Sequence, residues 1–245
     1  MTLTEDVTQK AIEAGFVTVG ISKLGTLSGL PHGLIGNHYN LRSPEEELPS
    51  VESVIMMGFY LWDKAFNLQV DSTSLHGDKE QTPKAPLESY QLYYEVMKNK
   101  AWLIVDHLKK RGFEALLSFA IPLKTTAIRC GLGCQGKNTL LISPNYGPRV
   151  RLISVLTNAE LDADESYRED LCGDCEKCVR ACPAMALEPY KLKINHCMVY
   201  SVENPDAPDV PDSAKKLRQK LIARPTSNSY IECTICADVC PIGKP

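Results

Sequence analysis

Eight of the ten cysteines in this sequence lie in its last third, at spacings that suit metal ligands. The first four are Cys172, Cys175, Cys178 and Cys182, and Pro183 follows the last of them. This run reads C-x2-C-x2-C-x3-C-P, the spacing of a module that holds two [4Fe–4S] clusters. Each cluster takes four cysteine thiolates, so one run alone is not sufficient for two clusters. The run therefore predicts that further cysteine ligands follow it.

A second run supplies most of these ligands. It consists of Cys233, Cys236 and Cys240, and a proline follows the last of them. Its spacing repeats that of the first run, except that Tyr230 occupies the position of the first cysteine. Cys197 lies between the two runs and is the replacement that the sequence offers. Together the eight cysteines provide four ligands for each of two clusters.

The ligands divide between the clusters because the cysteine before the proline binds the other cluster in such modules. The predicted ligands of the first cluster are Cys172, Cys175, Cys178 and Cys240. The predicted ligands of the second cluster are Cys182, Cys197, Cys233 and Cys236.

Two other uses of cysteine fit this pattern less well. Zinc also takes C-x2-C pairs, but a structural zinc site is complete with four ligands and does not explain two runs that end in x3-C-P. Disulfides form in oxidising compartments, and the N-terminal residues MTLTEDVTQK show no signal peptide. Iron–sulfur clusters are therefore the preferred interpretation.

Length and charge limit the remaining choices. With 245 residues, the chain has room for one domain with its own core and a small appended module. We predict an α/β domain for cofactor and substrate at 1–165, and a two-[4Fe–4S] ferredoxin-like module at 166–245. The formal net charge of −3 gives no overall basic footprint for nucleic acid. No apolar run approaches the roughly 20 residues of a membrane-spanning helix, so we expect a cytoplasmic protein with no membrane partner.

Alternating helices and strands must position any site in the first domain. Apolar runs predict strands at 16–21, 54–61, 114–119 and 150–157. Apolar residues at spacings of three and four predict helices at 3–14 and 87–111. This alternation indicates an α/β fold class. The polar residues 63–86 predict a long loop, of the kind that often forms a lid or a binding loop.

A glycine-rich segment, CGLGCQGKNTLLI at 130–142, is the most distinctive part of the first domain. Glycine permits sharp turns and a close approach of the backbone to a ligand, and lysine adds a cation. We predict a cofactor-binding role for Gly131, Gly133, Cys134, Gly136, Lys137 and Asn138. The alternative is a glycine turn that is packed for steric reasons, with Lys137 in solvent.

The segment CGLGCQGKNTLLISPNYGPRVRLISVLTNAEL, followed by CGDCEKCVRACPAMAL, resembles the core of epoxyqueuosine reductases and reductive dehalogenases. The lone cysteine in NHCMVYSVEN also matches that family, and weaker similarity extends to the N-terminus. The resemblance implies a nitroreductase-like α/β (α+β) domain with the ferredoxin module packed against it. It also implies a base-off cobalamin between the two parts, which receives electrons through the clusters. Tyr93 and Tyr94 stand where the family places an active-site Tyr-His pair, so the resemblance implies that they are catalytic.

The sequence departs from the family pattern at several places. Leu117 stands near the position of the family's aspartate proton donor, and no carboxylate occurs at 116–129. Neither the helical repeats that help epoxyqueuosine reductases hold tRNA nor a twin-arginine signal is found in this sequence. The resemblance nevertheless implies an enzyme, a cobalamin-dependent iron–sulfur reductase. Its substrate is expected to be a small molecule or a corrinoid protein, and tRNA is not expected as a partner.

Several alternatives stay open. The chain is also compatible with an electron-transfer or regulatory protein without a corrinoid, and with a reductase that holds FMN in the same cleft. A reduced ferredoxin or flavodoxin would serve as electron donor. Cys134 replaces a family tryptophan and is expected near the cofactor, although both it and Cys130 also suit small buried side chains. Lys124 and Arg129 suit contacts with a phosphate or carboxylate, or with solvent.

Overall fold

The structure is a computed structural model, and it describes residues 1–31, 33–35, 39–60, 68–71, 89–204, 207–226 and 229–243. The helices are α1 (Leu3–Glu13), α2 (Pro44–Glu47), α3 (Leu92–Lys110), α4 (Leu123–Arg129), α5 (Lys177–Ala181), α6 (Met198–Glu203), α7 (Asp212–Leu221) and α8 (Ile235–Asp238). The strands of the first part are β1 (Thr18–Lys23), β2 (Gly33–Ile35), β3 (Tyr39–Leu41), β4 (Ser53–Tyr60), β5 (Leu68–Asp71), β6 (Ser89–Gln91), β7 (Ala115–Ser118), β8 (Cys134–Gln135), β9 (Leu141–Ile142) and β10 (Val150–Thr157). The strands that follow are β11 (Leu187–Glu188), β12 (Lys191–Leu192) and β13 (Ser229–Ile231).

A four-stranded sheet with the order β1-β4-β10-β7 forms the centre of the first part. All of its strand pairs are antiparallel, so the mixed α/β fold is of the α+β kind and is not built from parallel crossover units. Helices α1 and α3 pack on one face, where Met97, Ile104 and Leu108 are completely buried. A second apolar cluster, to which α4 contributes Ala127, covers the other face.

Local sequence signals mark the start of one helix and the end of another. The Thr2 hydroxyl accepts a hydrogen bond from the Glu5 amide at 3.1 Å, and the Glu5 carboxylate accepts one from the Thr2 amide at 2.8 Å. This capping box starts α1. Gly112, with a φ of +86°, follows the end of α3 in the left-handed conformation that glycine tolerates.

Helix α3 begins later than predicted. Its expected first residues at 89–91 form β6, which pairs with β5 in register Gln69↔Gln91. The sheet pairing takes the backbone hydrogen bonds that a helix would need, and periodicity within 87–111 does not reveal it. The predicted loop 63–86 lies outside the described residues, except for 68–71, which form β5.

The cluster module joins the first part through strand pairing and through buried polar contacts. Strand β13 pairs with β5, so a sheet of order β13-β5-β6 contains strands from both predicted domains. The Arg149 side chain is only 4% exposed. Its guanidinium donates hydrogen bonds to the carbonyls of Ala237 at 3.2 Å, Cys240 at 2.6 Å and Ile242 at 2.8 Å. The division at residue 165 stays a prediction.

Two glycines allow the backbones to meet at this joint. A Cβ atom at Gly243 would lie 2.1 Å from the carbonyl carbon of Tyr146, and one at Gly147 would lie 2.0 Å from the carbonyl oxygen of Ile242. Both glycines have positive φ, at +64° and +58°. Larger residues at either position would force the two segments apart. Among the described residues, no helix has the length and apolar character needed to cross a membrane.

Candidate active site

The eight predicted ligands, which are the seven cysteines of the two runs and Cys197, lie on short helices and on the loops between them. Cys178 lies within α5 and Cys236 within α8, and these two helices contact each other. Cys197 immediately precedes α6. The local backbone turns that the x2 spacing predicts are present, because the Cys175 amide donates to the Cys172 carbonyl at 2.9 Å. The duplicated spacing thus gives two helices in contact, each carrying one ligand of a different predicted set.

The sulfur atoms of the second predicted set are close enough to affect one another electrostatically. Burial raises the pKa of the Cys236 thiol to about 12, and the charges of Cys233, Cys197 and Cys182 contribute to this shift. Burial likewise raises the pKa of the Cys197 thiol, and Cys182 adds to the shift. Crowded thiols of this kind become thiolates only with a positively charged group among them, and the iron atoms of an iron–sulfur cluster would provide that charge.

The first predicted set shows the same crowding. Burial raises the pKa of the Cys178 thiol, and Cys172 and Cys240 raise it further. The described residues contain no group of three metal-binding side chains arranged around a single ion. A [4Fe–4S] cluster instead carries its iron atoms at separate corners and takes one thiolate at each. The donor set therefore fits a cluster, and the assignment of individual ligands stays a prediction.

A cavity of about 610 Å³ lies between the cluster module and the central sheet. Four cysteines line one of its walls: Cys182, Cys197, Cys233 and Cys236. The charged and amide side chains that line it are those of Lys124, Asn138, Arg151, Glu203 and Glu232. Most of the remaining lining is apolar or aromatic. A volume of about 610 Å³ is within the usual range of ligand sites.

Two tyrosines form another part of the cavity wall. Helix α3 carries Tyr93 and Tyr94, whose ring centroids are 4.4 Å apart. Burial raises the pKa of both phenols. Nearby Glu232 raises both pKa values further, whereas Arg151 lowers them. Both phenols are therefore kept in the neutral form, in which they can donate a proton.

A partly buried ion pair adjoins the tyrosines. The Arg151 guanidinium lies 4.1 Å from the ring centroid of Tyr93 and donates to the Glu232 carboxylate at 3.1 Å. Burial opposes the charge of Arg151, but Glu232 and the phenols outweigh it and raise its pKa. Sequence reasoning missed this pair, although two signals exist. One is a cation within the apolar run at 150–157, and the other is a carboxylate directly before Cys233.

Lys124 also reaches the cavity. Its side chain is accessible to solvent there, although protein surrounds much of it. Partial desolvation lowers the pKa of the Lys124 ammonium, while Cys197 and Cys236 oppose this effect. The other predicted cation, Arg129, is exposed on α4, where it donates to the Thr26 carbonyl at 3.0 Å. Only Lys124 of these two residues belongs to the candidate site.

The glycine-rich segment lies against the cluster module, and only Asn138 among its six predicted cofactor-binding residues lines the cavity. The Asn138 side chain donates to the Cys236 carbonyl at 3.3 Å, and the Lys137 amide donates to the Cys172 sulfur at 3.5 Å. The structure does not bring Gly131, Gly133, Cys134, Gly136 and Lys137 to the cavity.

Steric demand explains the glycines in this segment. A Cβ atom at Gly133 would lie 2.1 Å from the Ile142 carbonyl oxygen, and one at Gly131 would lie 2.7 Å from that of Glu165. The Lys137 side chain is nevertheless buried and not in solvent. The segment is therefore a tight turn beside the predicted cysteine ligands, and its cofactor-binding role stays a prediction.

The two remaining cysteines have different surroundings. Cys134 packs with Cys172 and Cys240 of the first predicted cluster, and its sulfur accepts from the Leu171 amide at 3.5 Å. It lies beside predicted ligands of that cluster and does not line the cavity, and its position relative to a cofactor stays a prediction. Cys130 is 1% exposed within the apolar cluster under α4, and burial raises the pKa of its thiol. Cys130 is thus a small buried side chain.

Comparison with known proteins supports the cluster module and the fold. Residues 171–243 match the family described as a 4Fe-4S double cluster binding domain. An epoxyqueuosine reductase from Synechococcus sp. (strain RCC307) is 28% identical over 266 residues, which cover 98% of this chain and 75% of that protein. Homologues that match almost the whole chain and are reductases indicate an enzyme of the reductase class, as predicted.

Two kinds of solved structure share the fold. An epoxyqueuosine reductase with a tRNA-Tyr epoxyqueuosine-modified tRNA stem loop superposes with a TM-score of 0.68 at 22% identity, covering 98% of this chain and 65% of that one. A reductive dehalogenase whose structure suggests a mechanism for B12-dependent dehalogenation superposes with a TM-score of 0.57 at 18% identity, covering 81% of this chain and 29% of that one. This chain thus spans about two thirds of the reductase structure and a third of the dehalogenase structure.

The tRNA stem loop in the first of these structures corrects one expectation. The prediction that tRNA is not a partner, which rested on net charge and on the missing helical repeats, is wrong, because a neighbour that covers nearly all of this chain was solved with a tRNA stem loop. The chain is a homologue of the epoxyqueuosine reductases that shares its fold with the reductive dehalogenases and carries a 4Fe-4S double cluster binding domain.

Proposed function

We propose that this protein is an iron–sulfur reductase that acts on an epoxyqueuosine-type nucleoside of tRNA in the cavity beside its second cysteine set. The observation that carries this proposal is the composition of the cavity wall. Cys182, Cys197, Cys233 and Cys236 line the same space as the neutral phenols and the Arg151–Glu232 pair. A reducing centre and groups that can bind or protonate a substrate therefore meet at one place.

The chemistry of an epoxide sets what the site must provide. Reductive removal of the epoxide oxygen takes two electrons and two protons, leaves a carbon–carbon double bond and releases the oxygen as water. Iron–sulfur clusters supply the electrons one at a time. The chain has no carboxylate at 116–129, so the protons must come from other side chains or from solvent.

We further propose a nitroreductase-like first domain that holds cobalamin in its base-off form, which would supply a nucleophilic cobalt centre. The choice of cobalamin is supported by the reductive dehalogenase neighbour, whose structure suggests a mechanism for B12-dependent dehalogenation. The apolar part of the cavity suits a flat ring system, while Asn138 and Lys124 offer polar contacts for amide side chains. A flavin such as FMN would use the same surfaces, and analysis of the bound cofactor distinguishes the two.

The phenols and the cations have separate roles in this proposal. Tyr94 and Tyr93 hold protons up to a pH above the ordinary range of a phenol, because their pKa values are raised, and they serve as proton donors toward the cavity. The Arg151–Glu232 pair fixes the orientation of Tyr93 through the contact between guanidinium and ring. Lys124, close to Cys197 and Cys236, adds a positive charge that favours an anionic group on the substrate.

The proton-donor role predicts the effect of Tyr94→Phe. We expect kcat to fall by roughly 100-fold, the usual contribution of one general acid, with iron content and absorbance spectrum unchanged. Tyr146→Phe is the matched control, since Tyr146 stacks on Tyr60 at 5.4 Å and does not line the cavity. Single-turnover kinetics of both variants measure the effect. A Tyr94→Phe enzyme with unchanged kcat would assign the proton to another donor.

The proposed substrate is tested directly with an epoxyqueuosine-modified tRNA stem loop. The anaerobically prepared protein, with a chemical reductant and added cobalamin, is expected to convert the nucleoside to a product that lacks one oxygen atom. Mass spectrometry of the digested RNA detects the change. Reduction of a halogenated phenol with no change in the RNA would replace the tRNA proposal with a small-molecule reductase. If the RNA kept its oxygen and the phenol kept its halogen, the result would favour an electron-transfer protein.

A further inference from the structure

Helix α7 concentrates positive charge in a chain whose net charge is negative. Between Asp212 and Arg224 the sequence has one carboxylate and five cations: Lys215, Lys216, Arg218, Lys220 and Arg224. The whole chain carries a formal charge of −3. The rest of the protein is therefore acidic, and this segment is a local exception to it.

The helix presents this charge outward. Ala214 is buried and Leu217 packs in the same apolar cluster, so this side of α7 faces the module. Lys216 and Lys220, four residues apart, are exposed on the opposite side. Arg218 points inward and donates to the Ser201 carbonyl, and is therefore a structural residue. The outward cations are free to contact a partner.

The lysines of α7 differ from other surface lysines in their surroundings. Lys98 pairs with Glu95 at 2.6 Å and Lys110 pairs with Asp106 at 2.7 Å, both on α3. Within the part of the chain that the structure describes, the lysines of α7 form no such ion pair. Their charge is therefore not neutralised locally and extends into solvent.

The position of α7 relates this charge to the cavity. Helix α7 packs on α6, and Met198, Tyr200 and Glu203 of α6 line the cavity. Packed helix axes lie about 8–10 Å apart, so the outer face of α7 is one helix layer away from the cavity wall. Arg224 lies 5.8 Å from the ring centroid of Tyr230, two residues before Glu232 in the wall. The charge thus flanks the site where the substrate is proposed to react.

We propose that Lys215, Lys216, Lys220 and Arg224 form an RNA-binding surface that contacts the phosphate backbone of the tRNA substrate while a nucleotide enters the cavity. This inference rests on the proposed function. Lysine and arginine contacts to phosphates provide affinity without base specificity, and only a local cluster of them is needed. The surface explains how an acidic chain can bind RNA.

An acidic electron-donor protein is the competing partner for a basic surface. Such a donor needs access to the cluster that is farther from the substrate. Helix α7 packs in the same apolar cluster as Cys182, Cys197 and Cys233. These cysteines belong to the second set, which lines the cavity. Its location next to the substrate cavity favours RNA.

The test uses the full chain with its clusters and the variant K215Q/K216Q/K220Q. In fluorescence anisotropy with a labelled tRNA stem loop at about 0.1 M salt, we expect the Kd to rise at least about 10-fold. The slope of log Kd against log salt concentration should decrease in magnitude by roughly 2, about 0.7–0.9 for each phosphate that the variant no longer neutralises. The control variant K10Q/K98Q/K109Q removes the same charge from α1 and α3 and should change neither quantity.

The outcomes separate this inference from the proposed function. If the α7 variant bound tRNA as tightly as the wild type, with an equal salt slope, the RNA-binding surface would be overturned. The proposal that tRNA is the substrate would remain. Wild-type protein that binds no tRNA would overturn both. If the α7 variant kept its tRNA affinity but was reduced more slowly by a flavodoxin, the surface would instead belong to the electron donor, which also overturns the inference.

Discussion

Replacement of Cys197 by serine is expected to halve the iron content of the protein, from about eight atoms per chain to about four. Cys197 is the predicted fourth ligand of the second cysteine set, and the one further cysteine of the second run, Cys240, is assigned to the first set. Electron paramagnetic resonance of the reduced protein should lose one of two signals. Reductase activity should be lost as well, because this cluster is the one whose ligands line the cavity.

Two further variants keep the prediction testable if Cys197→Ser folds poorly. Cys175→Ser should remove the other signal and the other four iron atoms, because Cys175 belongs to the first set. Cys130→Ala is the control, since Cys130 is buried in the apolar cluster under α4. It should retain both signals. A Cys197→Ser protein that keeps about eight iron atoms and both signals would show that another residue completes the second cluster.

Arg149→Met is expected to have the largest effect on stability. The Arg149 guanidinium donates to three carbonyls, those of Ala237, Cys240 and Ile242. Methionine fills a similar volume but leaves these carbonyls without the donor, at a cost of about 1–3 kcal/mol for each unsatisfied buried group. We expect a total loss of about 3–5 kcal/mol, and a decrease of the thermal midpoint by roughly 10 °C.

Thermal unfolding of the anaerobic protein measures this effect, with cluster absorbance and circular dichroism recorded together. Cluster absorbance should be lost first, because the Cys240 carbonyl belongs to a predicted cluster ligand. Arg168→Met serves as the control, since Arg168 is exposed and a surface substitution usually changes stability by less than about 0.5 kcal/mol. Equal midpoints for Arg149→Met and the wild type would mean that the module does not depend on this arginine.

Features that depend on neighbouring residues in sequence could be predicted. The strand at 150–157 agrees with β10, the capping box starts α1, and the cysteine spacing marks the module that the family comparison finds. Each of these signals is contained within a few residues. The ligand role of Cys197 rests on elimination and not on spacing, so it needs the experimental test above.

Features that depend on distant pairing could not be predicted. Arg151 and Glu232 are 81 residues apart in sequence, and nothing near either one indicates its partner. Residues 89–91 were predicted to be helical but form strand β6, because they pair with β5. The glycine-rich segment has a pattern typical of ligand binding, but its steric partners are Ile142 and Glu165. Sequence reveals that such a turn is tight, but not which group it approaches.

The correction on tRNA has a similar physical origin. Net charge averages over the whole surface, whereas phosphate contacts depend on the local field. Acidic residues elsewhere outweigh the lysines of α7 in the total of −3, but these lysines lie close together on one helix. A negative total therefore does not exclude an RNA partner.

The most direct test of the account is the elemental and cofactor analysis of protein purified without oxygen. We predict about eight iron and eight sulfide per chain, and retention of added cobalamin through gel filtration with the visible spectrum of its base-off form. Retention of FMN in place of cobalamin would change the cofactor but keep the two-cluster reductase. Zinc in place of iron, or about four iron atoms in the fully reconstituted wild type, would contradict the pair of clusters on which the proposed reductase depends.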